Sequence, residues 1–178
     1  MRPALESTSV PSWAVSAECP AADTSGRYWT VVAVGDRAGR IVDDWTAQIR
    51  ACHPGAEVRV HTVADDVAAC AAVAADLAHA VVGWRLMIAG PADACLRVRA
   101  HALRSGVADD EITVGSTAVD VRAVHCAHCG TLTRAEVDLE DVVLCSGCGR
   151  ELLVYYHVSR RLGAHLGFTT GTTESSRS

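Results

Sequence analysis

The sequence predicts an α/β protein: a small parallel, Rossmann-like sheet followed by a C-terminal metal-binding domain. Three observations carry that reading. Apolar β-branched runs alternate with helical apolar spacing from Tyr28 to Val114. At about Val119 the texture changes to short strands, glycines and cysteines. Beyond that point two Cys-x2-Cys pairs are separated by fifteen residues, a spacing suited to tetrahedral thiolate ligation.

Taken in order, residues 1–26 are rich in Pro, Ser, Thr and Ala without periodicity, and read as a flexible arm with Trp13 as an anchor onto the body or a partner. Residues 27–118 form the first domain. Tyr28 to Val34 is a nearly continuous β-branched run, as in a strand buried on both faces. Gly39 to Cys52 places Ile41, Trp45, Ile49 and Cys52 on one helical face, and His53-Pro54-Gly55 stops it. Val58, Val60 and Thr62 alternate with Arg59 and His61, a half-buried strand. Asp65 caps a second helix expected to face Val67, Cys70, Ala74, Leu77 and Val81 inward. Trp84 to Ala89 is a third strand. Gly90-Pro91 opens a third helix, burying Leu96, Ala100 and Leu103 and ending at Gly106. Glu111 to Val114 supplies a fourth strand, and this β-α-β order predicts the parallel sheet. Residues 119–168 form the metal domain, and 169–178 are small, polar and expected to be flexible.

The metal domain reads His125-Cys126-Ala127-His128-Cys129-Gly130 and then Cys145-Ser146-Gly147-Cys148-Gly149. A Cys-x2-Cys turn aims both sulfurs at one point, and the following Gly permits the left-handed backbone that completes the knuckle. Cys126, Cys129, Cys145 and Cys148 are the candidate ligands of one ion. About fifty residues with so few large apolar side chains need that ion, which in small zinc domains supplies on the order of 10 kcal/mol. Zinc in a closed four-thiolate shell makes the site structural, of the zinc-ribbon kind. Iron in the same shell, as in a rubredoxin-like site, makes it an electron carrier. His125 and His128 flank the first knuckle as neighbours of the ligands.

Composition excludes several functions. All 16 basic residues are Arg, so lysine Schiff-base chemistry and a Walker-type lysine are absent. Net charge is −5, and Cys126 to Phe168 holds four Arg against five acidic residues, the wrong balance for nucleic acid. No apolar run approaches the roughly 18 residues of a membrane span, and Met1 to Pro20 is not a secretory signal. The chain reads as cytoplasmic, where cysteines serve metal ligation or burial. Cys52, Cys70 and Cys95 fall on predicted apolar faces, whereas Cys19 has no assignable role. His53, His61, His79 and His101 are read as surface or boundary residues. Glu136, Asp138, Glu140 and Asp141 make a solvated acidic stretch. No nucleophile–base pair presents itself, so catalytic residues are not expected.

Leu152 to Phe168, LLVYYHVSRRLGAHLGF, together with HCAHCG and CSGCG, resembles the C-terminal domain of the small (DmmA-like) subunit of bacterial dimethylamine monooxygenases. The resemblance spans about Val124 to Phe168, with His165 where a Tyr is usual. It implies a non-haem subunit of an NADPH-dependent multi-subunit complex that oxidatively N-demethylates dimethylamine, and the lack of a nucleophile–base pair fits a non-catalytic role within it. Its partners would be a haem-containing monooxygenase subunit and a flavin and iron–sulfur reductase subunit, in a hetero-oligomer. Arg160, Arg161 and His165 are the candidate partner contacts. A free-standing zinc-ribbon interaction module is the further alternative. Leu86 to Val114, with IAGP, HALRSGV and DDEITVG, is similar to the last strand-helix-strand of ferredoxin-reductase-type nicotinamide domains. Ala89 stands where that family has Cys, and Gly35-Asp36-Arg37-Ala38-Gly39 replaces a glycine-rich phosphate turn with one that carries an acid. The expectation is a reductase-like scaffold without nucleotide.

Overall fold

Strand β1 (Tyr28–Val34) organises the first half of the molecule. The computed structural model describes residues 7–169; the first six residues of the expected arm, and residues 170–178 of the expected tail, lie outside them. Every residue of β1 after Tyr28 is buried, because the strand lies inside a parallel sheet with β2 (Glu57–Val63) on one side and β3 (Trp84–Pro91) on the other. β4 (Ile112–Ala118) completes the order β2-β1-β3-β4. The connecting helices are α1 (Gly39–Cys52), α2 (Asp66–Leu77) and α3 (Ala92–Arg104). Successive side chains of β1 feed two cores. Trp29, Val31 and Ala33 pack with Val42, Trp45 and Ile49 of α1. Val32 and Val34 pack with Ala69 and Val73 of α2 and Cys95 and Val98 of α3. That division is what right-handed crossovers on a sheet of this order require.

The helix bounded by Gly39 and Cys52 forms as the periodicity predicts, although its last residue, Cys52, is exposed. Asp65 caps α2 by accepting a hydrogen bond from the Ala68 N–H at 2.9 Å. The face of α2 is where expectation and structure part. The buried residues are Asp66, Ala69, Val73 and Asp76, while Val67 and Val81 are exposed. In an alanine-rich helix the apolar period is weak, and two ion-paired aspartates set the inward face instead. β2 differs too: it is an edge strand on which Val60 is exposed and His61 half-buried, because His61 turns to Asp76 at 2.9 Å.

The expected flexible arm is tied down along its described length. Trp45 donates its indole N–H to the Pro20 carbonyl and Trp29 to that of Asp23, each at 2.8 Å. Arg85 pairs with Asp23 at 2.9 Å, and Ser116 exchanges hydrogen bonds with Glu18. Trp13 packs against the body, the anchoring role read from the sequence. Buried indole donors need acceptors, and the arm's backbone supplies them.

The change of texture near Val119 marks a change of sheet. β5 (Val121–Cys126), β6 (Leu132–Glu136), β7 (Val142–Leu144), β8 (Glu151–Ser159) and β9 (Ala164–Thr169) form a second sheet of order β6-β5-β9-β8-β7. Only β5 and β9 run parallel. This unit sits on α3: Ala92 to Leu96 are all buried, which a helix covered from one side cannot achieve. The β8–β9 turn lies so close that a Cβ on Gly163 would meet the Leu96 carbonyl. Arg134 of β6 reaches across to Asp66 at 2.9 Å and Asp93 at 3.3 Å. No helix among the described residues is long and apolar enough to cross a membrane.

Candidate metal centre

Each cysteine pair occupies a hairpin turn. The first knuckle joins β5 to β6, and the second joins β7 to β8. The two turns share one hydrogen-bonding pattern. Gly130 N–H donates to the Cys126 carbonyl and Gly149 N–H to that of Cys145, both at 2.9 Å. The Cys126 and Cys145 N–H groups donate to Thr131 and Arg150, also at 2.9 Å. Gly130 (φ 75°) and Gly149 (φ 69°) hold the left-handed conformation that lets each chain turn back after its second cysteine.

β6 and β7 are opposite edges of the sheet, so the knuckles meet only because the sheet curls. Thr133 of β6 and Ser146 of the second knuckle tie them, with Ser146 N–H donating to Thr133 Oγ1 at 3.0 Å. The result brings all four sulfurs within 4.8 Å of one another. Cys126 and Cys148 sulfurs are 3.8 Å apart, Cys129 and Cys145 sulfurs 3.5 Å. Tetrahedral ligation with bonds of about 2.3 Å places sulfurs about 3.8 Å from each other, so the donor set fits a single zinc or iron ion.

Cys126 and Cys145 are buried, Cys148 is half-buried and Cys129 is exposed. Hydrogen bonds from the Thr131 hydroxyl and N–H pull the Cys129 thiol down to about 6. The Cys148 and Gly147 N–H groups lower that of Cys145, working against burial. For Cys148 the Arg150 N–H lowers the value, but burial and the surrounding cysteines outweigh it and push the thiol up to about 11. Thiolates that accept backbone N–H bonds are the form a cation binds. His125 is half-buried and His128 exposed, and neither belongs to the sulfur cluster.

The three proposed partner contacts separate. Arg160 and Arg161 are exposed in the β8–β9 turn. His165 is 1% exposed, beside Val124 in register, and so cannot itself touch another subunit. Burial, then the Arg122 charge, lowers its imidazole to about 4. Arg122 is the residue that sequence reasoning missed here. It lies buried on β5, donating to the Val119 carbonyl and approaching Asp138 at 3.4 Å; that aspartate leaves the expected acidic stretch partly spoken for. A second missed cluster stands at the far end of the first sheet. There Asp76 accepts from Thr30 at 2.7 Å, contacts His61 at 2.9 Å, and lies 3.5 Å from Arg59. Cys95 is fully buried as expected and its thiol is pushed up by burial. Cys70 is only half-buried.

Residues 123–168 match the family model described as dimethylamine monooxygenase subunit DmmA-like, C-terminal domain. The chain is 37% identical over 91 residues to the heme-dependent oxidative N-demethylase delta subunit of Ectopseudomonas mendocina (strain ymp). That alignment covers 51% of this chain and 51% of the relative, so the chain spans about half the length of the relative it matches. No solved structure matches. The similarity to the DmmA-like subunit of dimethylamine monooxygenase, predicted from the two knuckles and the Leu152–Phe168 segment, is therefore carried by a family model over the four-cysteine unit and by a related demethylase subunit.

Proposed function

We propose that this chain is an accessory, zinc-stabilised subunit of an oxidative N-demethylase complex acting on dimethylamine, and that it has no catalytic residues of its own. The observation that carries the reading is the convergence of Cys126, Cys129, Cys145 and Cys148 inside the very segment that matches the DmmA-like domain. Zinc in that shell has no open position for a substrate and no redox chemistry, so its work is to hold the ribbon-like hairpins in one shape. The shaped unit then presents Arg160 and Arg161, both exposed, to a haem-containing subunit and a flavin and iron–sulfur reductase subunit in the cytoplasm. The Rossmann-like unit serves as scaffold without nucleotide. In support, Asp36 stands where a phosphate would approach.

One observation favours a second reading. Cys129 is exposed, so a rubredoxin-like iron at this site would have a sulfur at the surface for electron exchange with a docked partner. Reconstitution separates the two. The haem and reductase subunits are mixed with NADPH, oxygen and dimethylamine, with and without this chain in its zinc or iron form. The accessory reading expects turnover to need the chain and to proceed with zinc. Turnover supported only by the iron form would replace it with the electron-transfer reading, and undiminished turnover without the chain would remove both.

A further inference from the structure

Where the two units meet, α2, α3 and the β8–β9 turn enclose an open cleft of about 330 Å³, lined by Cys70, Arg97, Arg104, Arg161 and Leu162. Three guanidiniums around one cleft require explanation in a chain of net charge −5, since like charges held together repel. Arg97 is matched: it pairs with the buried Asp66, which it shares with Arg134, and Arg134 is also matched by Asp93. Arg104 donates to the main-chain carbonyl of Arg161 rather than to a carboxylate. Among the described residues the Arg161 side chain has no ion pair or hydrogen bond. The other polar groups add no negative charge. Burial raises the Cys70 thiol, and burial with the Arg104 charge lowers His101 on the neighbouring turn of α3, so both are neutral. Two positive charges are left facing the cleft.

We propose that this cleft binds an oxyanion of the phosphate class, held by Arg104 and Arg161 with Arg97 fixed behind them. The anion is either inorganic phosphate or the terminal group of a phosphorylated small molecule. A guanidinium fork donates two parallel hydrogen bonds to such a group. A phosphate monoester carries about −1.5 to −2 at neutral pH, which matches two free guanidiniums where a single carboxylate leaves one unmatched. The site is formed by both units of this chain and shares only Arg161 with the docking contacts proposed above, while Arg104 belongs to it alone; binding measured on the isolated chain therefore tests it apart from the subunit reading.

The test is calorimetric titration of the full chain at low ionic strength with inorganic phosphate, AMP and malonate. Phosphate or AMP binds, and the tighter of the two identifies the free or the esterified source. Arg161→Gln and Arg104→Gln each weaken that binding about tenfold, the loss of one charge-assisted pair, and the double variant abolishes it. Arg40→Gln, exposed on α1, leaves it unchanged. A phosphate-dependent rise in Tm, present in the parent chain and lost in Arg161→Gln, guards against misfolding of the variants. Malonate binding as tightly as phosphate and AMP, binding that survives in the double variant, or no binding of any of the three overturns the proposal.

Discussion

The two halves of this molecule solve the same stability problem by different means. The parallel-sheet unit buries Trp29, Trp45, Ile49, Leu86, Met87 and Ile88 almost completely, so apolar area supplies the larger part of what holds its core. The C-terminal unit has a core of Val124, Leu152 and Val154 closed by two of the ligand cysteines, Cys126 and Cys145. On the proposed reading, the ion and docking on α3 supply what this unit lacks in buried carbon. Metal loss should therefore divide the molecule along the junction between Ala118 and Val121.

The largest expected effect follows. Cys145→Ser, or chelation of the ion, removes a contribution on the order of 10 kcal/mol. Amide exchange should lose protection across β5 to β9 while β1 and β3 keep theirs. Uniform loss across both sheets would show that the units do not divide as described. The converse substitution, Trp45→Ala, costs about 3–5 kcal/mol as a core truncation and leaves an unused acceptor at Pro20. It should lower the denaturation midpoint without changing the metal bound per chain; a loss of metal would tie the ion to the first core.

His165 sharpens the contrast through pH. Its folded pKa is depressed to about 4, below the ordinary value near 6.5. The unfolded chain thus takes up this proton first as pH falls. The neutral, buried His165 is without penalty above about pH 6.5, and stability is lost progressively down to about pH 4, by on the order of 3 kcal/mol. His165→Asn should flatten the stability profile between pH 7 and 5 relative to the parent chain at equal metal occupancy. An unchanged slope would mean the imidazole titrates normally.

The smallest effect concerns the joint. Arg134→Gln leaves Asp93 without its guanidinium and Asp66 with Arg97 alone. Because Arg134 is 43% exposed, solvent screens the pair, and a cost of about 1–2 kcal/mol is expected. The readout is increased exchange of β6 amides with β1 unaffected.

How much was legible in the residues depended on how local the cause was. β1 and α1 end where the β-branched run and the His53-Pro54-Gly55 stop place them. The sulfur cluster was legible because each knuckle is set within five residues. The inward face of α2 was not, since Asp66 and Asp76 are drawn in by Arg97, Arg134, Thr30 and His61 from other elements. The arm's attachment escaped for a related reason: it offers backbone carbonyls to indoles 25 and 6 residues away, a pairing that side-chain patterns do not record. Burial of Arg122 and His165 likewise follows from a sheet order that composition does not reveal.

The proposed role rests on Cys126, Cys129, Cys145 and Cys148 holding one structural ion. Elemental analysis of the purified chain, read beside its visible spectrum, tests it most directly. One zinc per chain with no visible absorption is the expected result. One iron per chain, with thiolate charge-transfer bands that bleach on reduction, would contradict it and make this unit an electron carrier.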